Sequence, residues 1–304
     1  MKFDKYKFRA SQVGNIVNLP KPLTEKQTEA LEAYRQRHRG EGSSLTEKQT
    51  KDWHSLEHKN NQSKIYKLTE GAKKLLSELV MYEKFGRKPD IRTKYFTKGL
   101  AVEKEGRDLL SDVLGTLLTS DDERRTNDWV TGRRDIKSDK LIIDIKNSFD
   151  FKSFNQHLVE SASEIYLRQL DCYMELWDVK DSLLAFTLVD TPFNLIDDEI
   201  RRLDWREDVL TNEGDVRQNS VPDIVKLVCE HIYTKKALDE YCKLSQTVHI
   251  EWFRDFKEIP KEDRVHLVSH KFDPIRIEQR NECIRLARQY MNTVQPLNNK
   301  TIKL

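Results

Sequence analysis

Between Gly132 and Lys146 the chain reads Gly-Arg-Arg-Asp-Ile, a short polar break, and then Leu-Ile-Ile-Asp-Ile-Lys. Both runs have the character of β-strands, and residues two apart on a strand project from the same face. Asp144 and Lys146 therefore stand side by side, with Ile143 and Ile145 turned the other way into a core. Asp135 comes from the preceding run, and a strand pair joined by a tight turn near Ser138-Asp139 is expected. Two acids and an ammonium at the edge of an apolar sheet cost free energy unless they are paired or used. Any fold this chain adopts must put an apolar layer behind that face and something polar in front of it.

The 304 residues suffice for one large domain or two modest ones, and a single domain over 1–304 is the expectation. No run approaches the eighteen or so apolar residues of a membrane span. The stretch Met-Lys-Phe-Asp-Lys-Tyr-Lys-Phe-Arg lacks the apolar core of a signal peptide, so a cytoplasmic protein is expected. The net charge of +2 neither demands nor excludes nucleic acid, because a local basic groove can coexist with an acidic site. Cys172, Cys229, Cys242 and Cys283 lie far apart with no C-x-x-C pair, which argues against a zinc ribbon or a closely spaced four-cysteine iron–sulfur cluster.

Along the chain, Leu23-Thr24-Glu25-Lys26-Gln27-Thr28 recurs as Leu45-Thr46-Glu47-Lys48-Gln49-Thr50. Each copy has threonine three residues before glutamine, a capping box that starts a helix. With the Gly40 to Ser44 break between them, they predict a charged helical hairpin over 21–66, inserted before the core. Helices are predicted over about 69–85 and 97–115, then strands over 127–136 and 139–147. A helix over 161–177, a strand from Ser182 to Val189, and helices through 193–245 follow. A late strand from Arg264 to Lys271 leads to a helix from Pro274 to Met291. This order predicts an α/β (α+β) fold with a small mixed sheet flanked by helices.

Hydrolysing a phosphodiester requires a water to be activated and charge to be stabilised on both the phosphoryl and leaving oxygens. A hard divalent cation, Mg²⁺ or Mn²⁺, does this and prefers oxygen ligands. Asp135 and Asp144 would supply carboxylates and Ile145 its backbone carbonyl. Lys146 would orient the nucleophile or stabilise developing charge. Upstream, Gly99-x-x-x-Glu103 opens a helix. Downstream, Tyr166, Gln169 and Tyr173 share one helix face that can look back at the sheet.

Together, Ala10-Ser11, Lys98-Gly99-Leu100-Ala101-Val102-Glu103, Gly132 to Asp135, Asp144-Ile145-Lys146 and Tyr166 with Gln169 resemble the PD-(D/E)XK nuclease superfamily. The resemblance is closest to its lambda-exonuclease or YqaJ-like viral recombination branch, and covers most of 1–291 apart from the hairpin. It implies a restriction-endonuclease-like core and a metal-dependent DNA exonuclease, 5′–3′ on duplex ends, serving phage-type recombination or end resection in a bacterial or phage-infected cell. By the same resemblance, Asp135 and Asp144 would bind Mg²⁺ or Mn²⁺, Glu103 would be an auxiliary acid at the metals, and Lys146 would assist the water. Gln169 would touch the site or the substrate strand, and Ser11 would contact a terminal phosphate with Arg9 beside it. A single-strand annealing protein and a ring-shaped homo-oligomer are the partners it implies. Arg133, Arg134 and Tyr166 are further candidates for DNA contact. A structure- or sequence-directed endonuclease of the same superfamily uses the same metal site, and a non-catalytic nucleic-acid-binding or partner-binding module is the reading from another class. His54-Ser55-Leu56-Glu57-His58 matches an inverted zinc-protease pattern, but on a helix this polar it is expected to be a solvated face.

Overall fold

The computed structural model describes residues 2–88 and 93–294. Its contacts divide the chain into two compact units. One comprises 1–88, 127–130 and 273–304, and the other 89–126 and 131–272. In chain order, the first unit opens with β1 (Phe8–Arg9) and α1 (Ala10–Val13), followed by α2 (Glu25–His38), α3 (Glu47–Gln62) and α4 (Glu70–Phe85). The second carries α5 (Lys94–Ala101), α6 (Glu103–Leu114), β2 (Arg124–Thr126), most of β3 (Val130–Arg133) and β4 (Ile142–Asn147). It continues through α7 (Phe151–Val159), α8 (Glu164–Trp177), β5 (Asp181–Thr187), α9 (Phe193–Glu207), α10 (Val221–Cys229), α11 (Lys235–Leu244) and β6 (Val265–Lys271). The long α12 (Pro274–Thr293) returns to the first unit. Among the described residues, no helix is long and apolar enough to cross a membrane.

The helical hairpin of the first unit starts where its sequence said it would. Thr24 and Thr46 accept from the backbone of Gln27 and Gln49, and each glutamine side chain reaches back to the threonine N–H. Little apolar surface is buried here: Leu31 is the buried residue of α2, and α3 has none. Arg35 instead bridges the helices through a two-pronged bond to Glu57, at 2.6 and 2.9 Å. That use of Glu57, and the stacking of His54 on Trp53, leave the His54–His58 pattern as a helix surface. Elsewhere in this unit α12 packs on α4 and brings Arg285 and Arg288 to 5.3 and 4.9 Å from the Trp129 ring centre.

In the second unit β4 runs parallel to β5, and β5 antiparallel to β6. Strand parity sorts the faces. Ile143 and Ala185 pack against Leu110 of α6, with Ile145 at the edge of that cluster, while Asp144 faces Gln169 of α8. A separate apolar cluster, including Ile196, Ile200, Ile224, Val228, Leu238 and Tyr241, ties α9, α10 and α11 together.

Two expectations are corrected. β3 and β4 are not partners: β3 pairs antiparallel with β2, Arg125 opposite Gly132, and β4 pairs with β5. The reason lies in the segment between them. Asp121 N–H donates to the Asp135 carbonyl and Lys137 N–H to that of Thr119, so the chain after Arg133 is engaged with 119–121 rather than with β4. The helix expected over 97–115 is two helices, because Val102 leaves helical geometry at φ −113° and ψ 20° between α5 and α6.

Candidate active site

The site forms where β4 passes under α8. Asp144 is fully buried, and the Lys146 ammonium lies 2.7 Å from its Oδ2. Gln169 Nε2 donates to Asp144 Oδ1 at 3.0 Å, and its Oε1 accepts from Lys146 at 3.4 Å. The same Nε2 donates to the Tyr173 hydroxyl at 2.9 Å. Tyr166, one helical turn earlier, sets its ring 5.3 Å from the Lys146 ammonium. The expected face of α8 is thus assembled over the strand, and all three of its residues contribute.

Asp135 reaches the site without a paired strand. Its Oδ2 accepts the Ile145 N–H at 2.9 Å, taking the place that a neighbouring strand's carbonyl would fill on this edge of β4. Burial, reinforced by the Asp144 charge, pushes the Asp135 carboxyl up to about 7, against the pull of Lys146 and the Ile145 N–H. Burial works against the Lys146 charge as well, but the Asp144 and Asp135 carboxylates outweigh it and hold the ammonium pKa above its ordinary value. Lys146 is therefore a fixed cation at neutral pH.

Glycine makes this closeness possible. A Cβ on Gly132 would lie 2.7 Å from the Tyr173 ring, so no other residue lets the aromatic pack flat over β3. On the opposite face, a Cβ on Gly106 would lie 2.0 Å from the Asn147 side-chain oxygen. Asn147 itself accepts from Thr187 at 2.6 Å and donates to the Gly99 carbonyl at 3.4 Å, tying the end of β4 to β5 and α5. Glu103 is exposed at the first position of α6, and its charge adds the smallest push to the Asp135 pKa.

The donor set fits a hard divalent cation. Asp144 Oδ2 is buried beside the Lys146 ammonium but accepts no well-aligned hydrogen bond, so it can still take a further electropositive partner. Its neighbours Asp135 and the Ile145 carbonyl are oxygen donors too, as Mg²⁺ and Mn²⁺ require. Among the described residues, no three histidine, cysteine or acidic side chains gather into a metal cage. A cation here would rest on two carboxylates and a carbonyl, with water or substrate oxygens completing its shell.

The other expected residues are distributed differently. Arg134 is buried, paired with Asp121 at 2.6 Å and lying 5.1 Å from the Trp177 ring centre, so it is a structural arginine rather than a phosphate contact. Arg133 is exposed and loosely paired with Asp122 at 3.2 Å. Ser11 and Arg9 are exposed at the start of α1, in the first unit, and not in the unit that holds the acids. Sequence reasoning missed Asn147 and Gly106, and it gave the buried Lys98 no role of its own. A signal existed for one of them: a glycine inside a helix, where it is costly, marks close approach by a neighbour.

No family model matches the chain, and no curated protein matches it. Among solved structures it is similar to the crystal structure of a phage-related exonuclease from Haemophilus somnus 129PT, with a TM-score of 0.58, 23% identity, and 95% of this chain and 94% of that one covered. An alkaline exonuclease from Laribacter hongkongensis aligns with a TM-score of 0.48 and 9% identity over 95% of this chain and 89% of that one. The first likeness, over nearly the whole of both chains, shows the fold, in which, among the described residues, two three-stranded sheets are flanked by helices.

Proposed function

We propose that this chain is a divalent-metal-dependent deoxyribonuclease acting as an exonuclease on duplex ends. The observation that carries the reading is the buried Asp144, held between Lys146 and Gln169 with Asp135 on the next backbone amide. A charge so buried is costly unless a cation and a substrate use it, and the fold it sits in is that of a phage-related exonuclease. Mg²⁺ or Mn²⁺ bound there would supply Lewis acidity and an activated water.

The chain's own residues do the rest. Asp135 and Asp144 hold the cation's side of the site, and Asp135 must lose its proton to do so. Lys146, charged at neutral pH, stabilises negative charge on the scissile phosphate and orients the attacking water rather than abstracting its proton. Gln169 fixes the Asp144 and Lys146 rotamers, and Tyr173 fixes Gln169. In this reading Glu103 would add an acid near Asp135, and Tyr166, beside Lys146, and Arg133 would hold a strand. The 5′–3′ direction, the terminal-phosphate contact at Ser11 and Arg9, a ring-shaped oligomer, an annealing partner and a role in recombination in the cytoplasm of a bacterial or phage-infected cell belong to the same proposal.

The test is digestion with Mg²⁺ of linear duplexes bearing 5′-phosphate or 5′-hydroxyl ends, beside a covalently closed circle. Release of nucleotides from the linear duplexes with an intact circle is expected, and Asp144→Asn should lower the rate by roughly 10³-fold or more while DNA binding persists. Cutting of the closed circle would make it an endonuclease. Undiminished digestion by Asp144→Asn would end the assignment of this site.

A further inference from the structure

Lys98 is a buried basic residue that the proposed chemistry does not use. Its side chain on α5 has no exposed surface, and its Nζ donates to the Phe149 carbonyl at 2.7 Å, with the Tyr233 ring centre 5.7 Å away. The nearest acids are occupied elsewhere: Asp150 caps α7 through the Ser153 N–H at 2.7 Å, and Asp190 accepts from the Tyr233 N–H at 2.6 Å and from Thr234. Burial depresses the ammonium to about 7, with Asp150 and Asp190 opposing. A methionine would fill this space without a desolvation cost, so what lysine adds is the hydrogen bond.

That bond joins two particular places. Phe149 lies two residues past the end of β4, the strand of Asp144 and Lys146. Lys98 lies one turn before Val102, the non-helical residue at which α5 gives way to α6. Glu103, the first residue of α6, is exposed and follows directly on that elbow, whose Val102 is buried with Leu109 and Val189. Asn147 adds a long bond to the Gly99 carbonyl at 3.4 Å, and Gly106 admits the Asn147 side chain against α6. Of these ties the bond of Lys98 is the short one.

We propose that Lys98 is a positioning residue, which clamps the α5–α6 elbow to the end of β4 and so sets the Glu103 carboxylate against Asp135 and Asp144. The inference rests on the reading of those acids as a divalent-cation site. It makes Glu103 part of one electrostatic unit with the β4 acids, placed by an elbow that the Lys98 bond ties to the end of β4.

The test is a double-mutant cycle read by calorimetric titration of Mn²⁺ into the intact protein without DNA. Lys98→Met should keep the native circular dichroism spectrum and bind Mn²⁺ about 10-fold more weakly, the scale of loss when an outer support of a metal site is removed. In the Glu103→Gln background the same substitution should change Mn²⁺ binding no further, since it acts through that carboxylate. Equal losses in both backgrounds, or none in either, overturn the proposal. Should Lys98→Met not fold, Lys98→Leu, which also lacks a donor, carries the same cycle with the same expectations. Asp144→Asn separates the two levels: unchanged Mn²⁺ binding there defeats the metal-site reading, while loss there with no coupling between Lys98 and Glu103 defeats only the positioning role.

Discussion

The α2–α3 hairpin and the β4 site each rest on an ion pair, and they differ in what the pair costs. Arg35 and Glu57 meet with roughly a third and a quarter of their side chains exposed, so water already solvates both charges and the pair only registers two helices. Asp144 has no exposure at all, and its partner lies on the same strand two residues away. The first pair could be lost with little consequence. The second is a standing cost that the fold carries at one place, and Gln169 of α8 helps to carry it by bonding both charges. Charge on a surface specifies geometry loosely, whereas charge in a core must be matched atom by atom.

The sharpest challenge to that contrast is Lys146→Met. It strips Asp144 of the cation beside it and should cost about 2–3 kcal/mol in urea unfolding without divalent metal, part of which added Mg²⁺ restores. A loss no greater than that of a surface pair would mean that the site is wetter than its burial indicates.

Gly132→Ala tests packing rather than charge. The Tyr173 ring has to shift, and with it Gln169, so about 1–2 kcal/mol of stability should go together with a fall in Mg²⁺-dependent cleavage. Normal activity in a destabilised variant would show that Tyr173 does not act through Gln169.

Asp135→Asn sets the two regions against each other through pH. The folded state holds the Asp135 proton up to about pH 7, whereas the unfolded chain releases it near the ordinary value of 3.8. Stability contributed by that proton is complete below about pH 4 and is lost as pH rises through about 7. Without metal, the asparagine variant should therefore melt above the parent near pH 8 and level with it near pH 4. Identical melting at both would remove the burial argument for Asp135. The same ionisation makes cation binding and cleavage by the unaltered protein rise with pH through about 7.

Glu57→Ala should do least, shifting stability by roughly 0.5 kcal/mol or less and leaving cleavage unchanged. A large effect on cleavage would give the hairpin a part in the site that its solvated pairing does not suggest.

Much of this was legible beforehand, for reasons visible in particular residues. Both hairpin helices begin at Thr24 and Thr46 because a capping box is satisfied within four residues of chain. The pairing of Asp144 with Lys146 follows from strand parity alone, and Tyr166, Gln169 and Tyr173 share a face by helical spacing alone. The partner of β3 was not legible, because the same alternation serves a hairpin with β4 or with β2. The arginines were not legible either: Arg133 and Arg134 are neighbours in sequence, yet one faces water and the other is sealed between Asp121 and Trp177.

The sequence by itself determined which residues carry charge on which face of β4 and α8, since those relations depend only on the repeat of each element. Tertiary structure decided what each charge meets: that Asp135 arrives by capping the Ile145 amide rather than by strand pairing, that Gln169 locks Asp144, and that Lys98 is buried against the Phe149 carbonyl. The physical reason is that solvation and hydrogen-bond partners are supplied by chain distant in sequence. The pKa of an acid and the cost of a buried lysine are properties of those neighbours, not of the residue type.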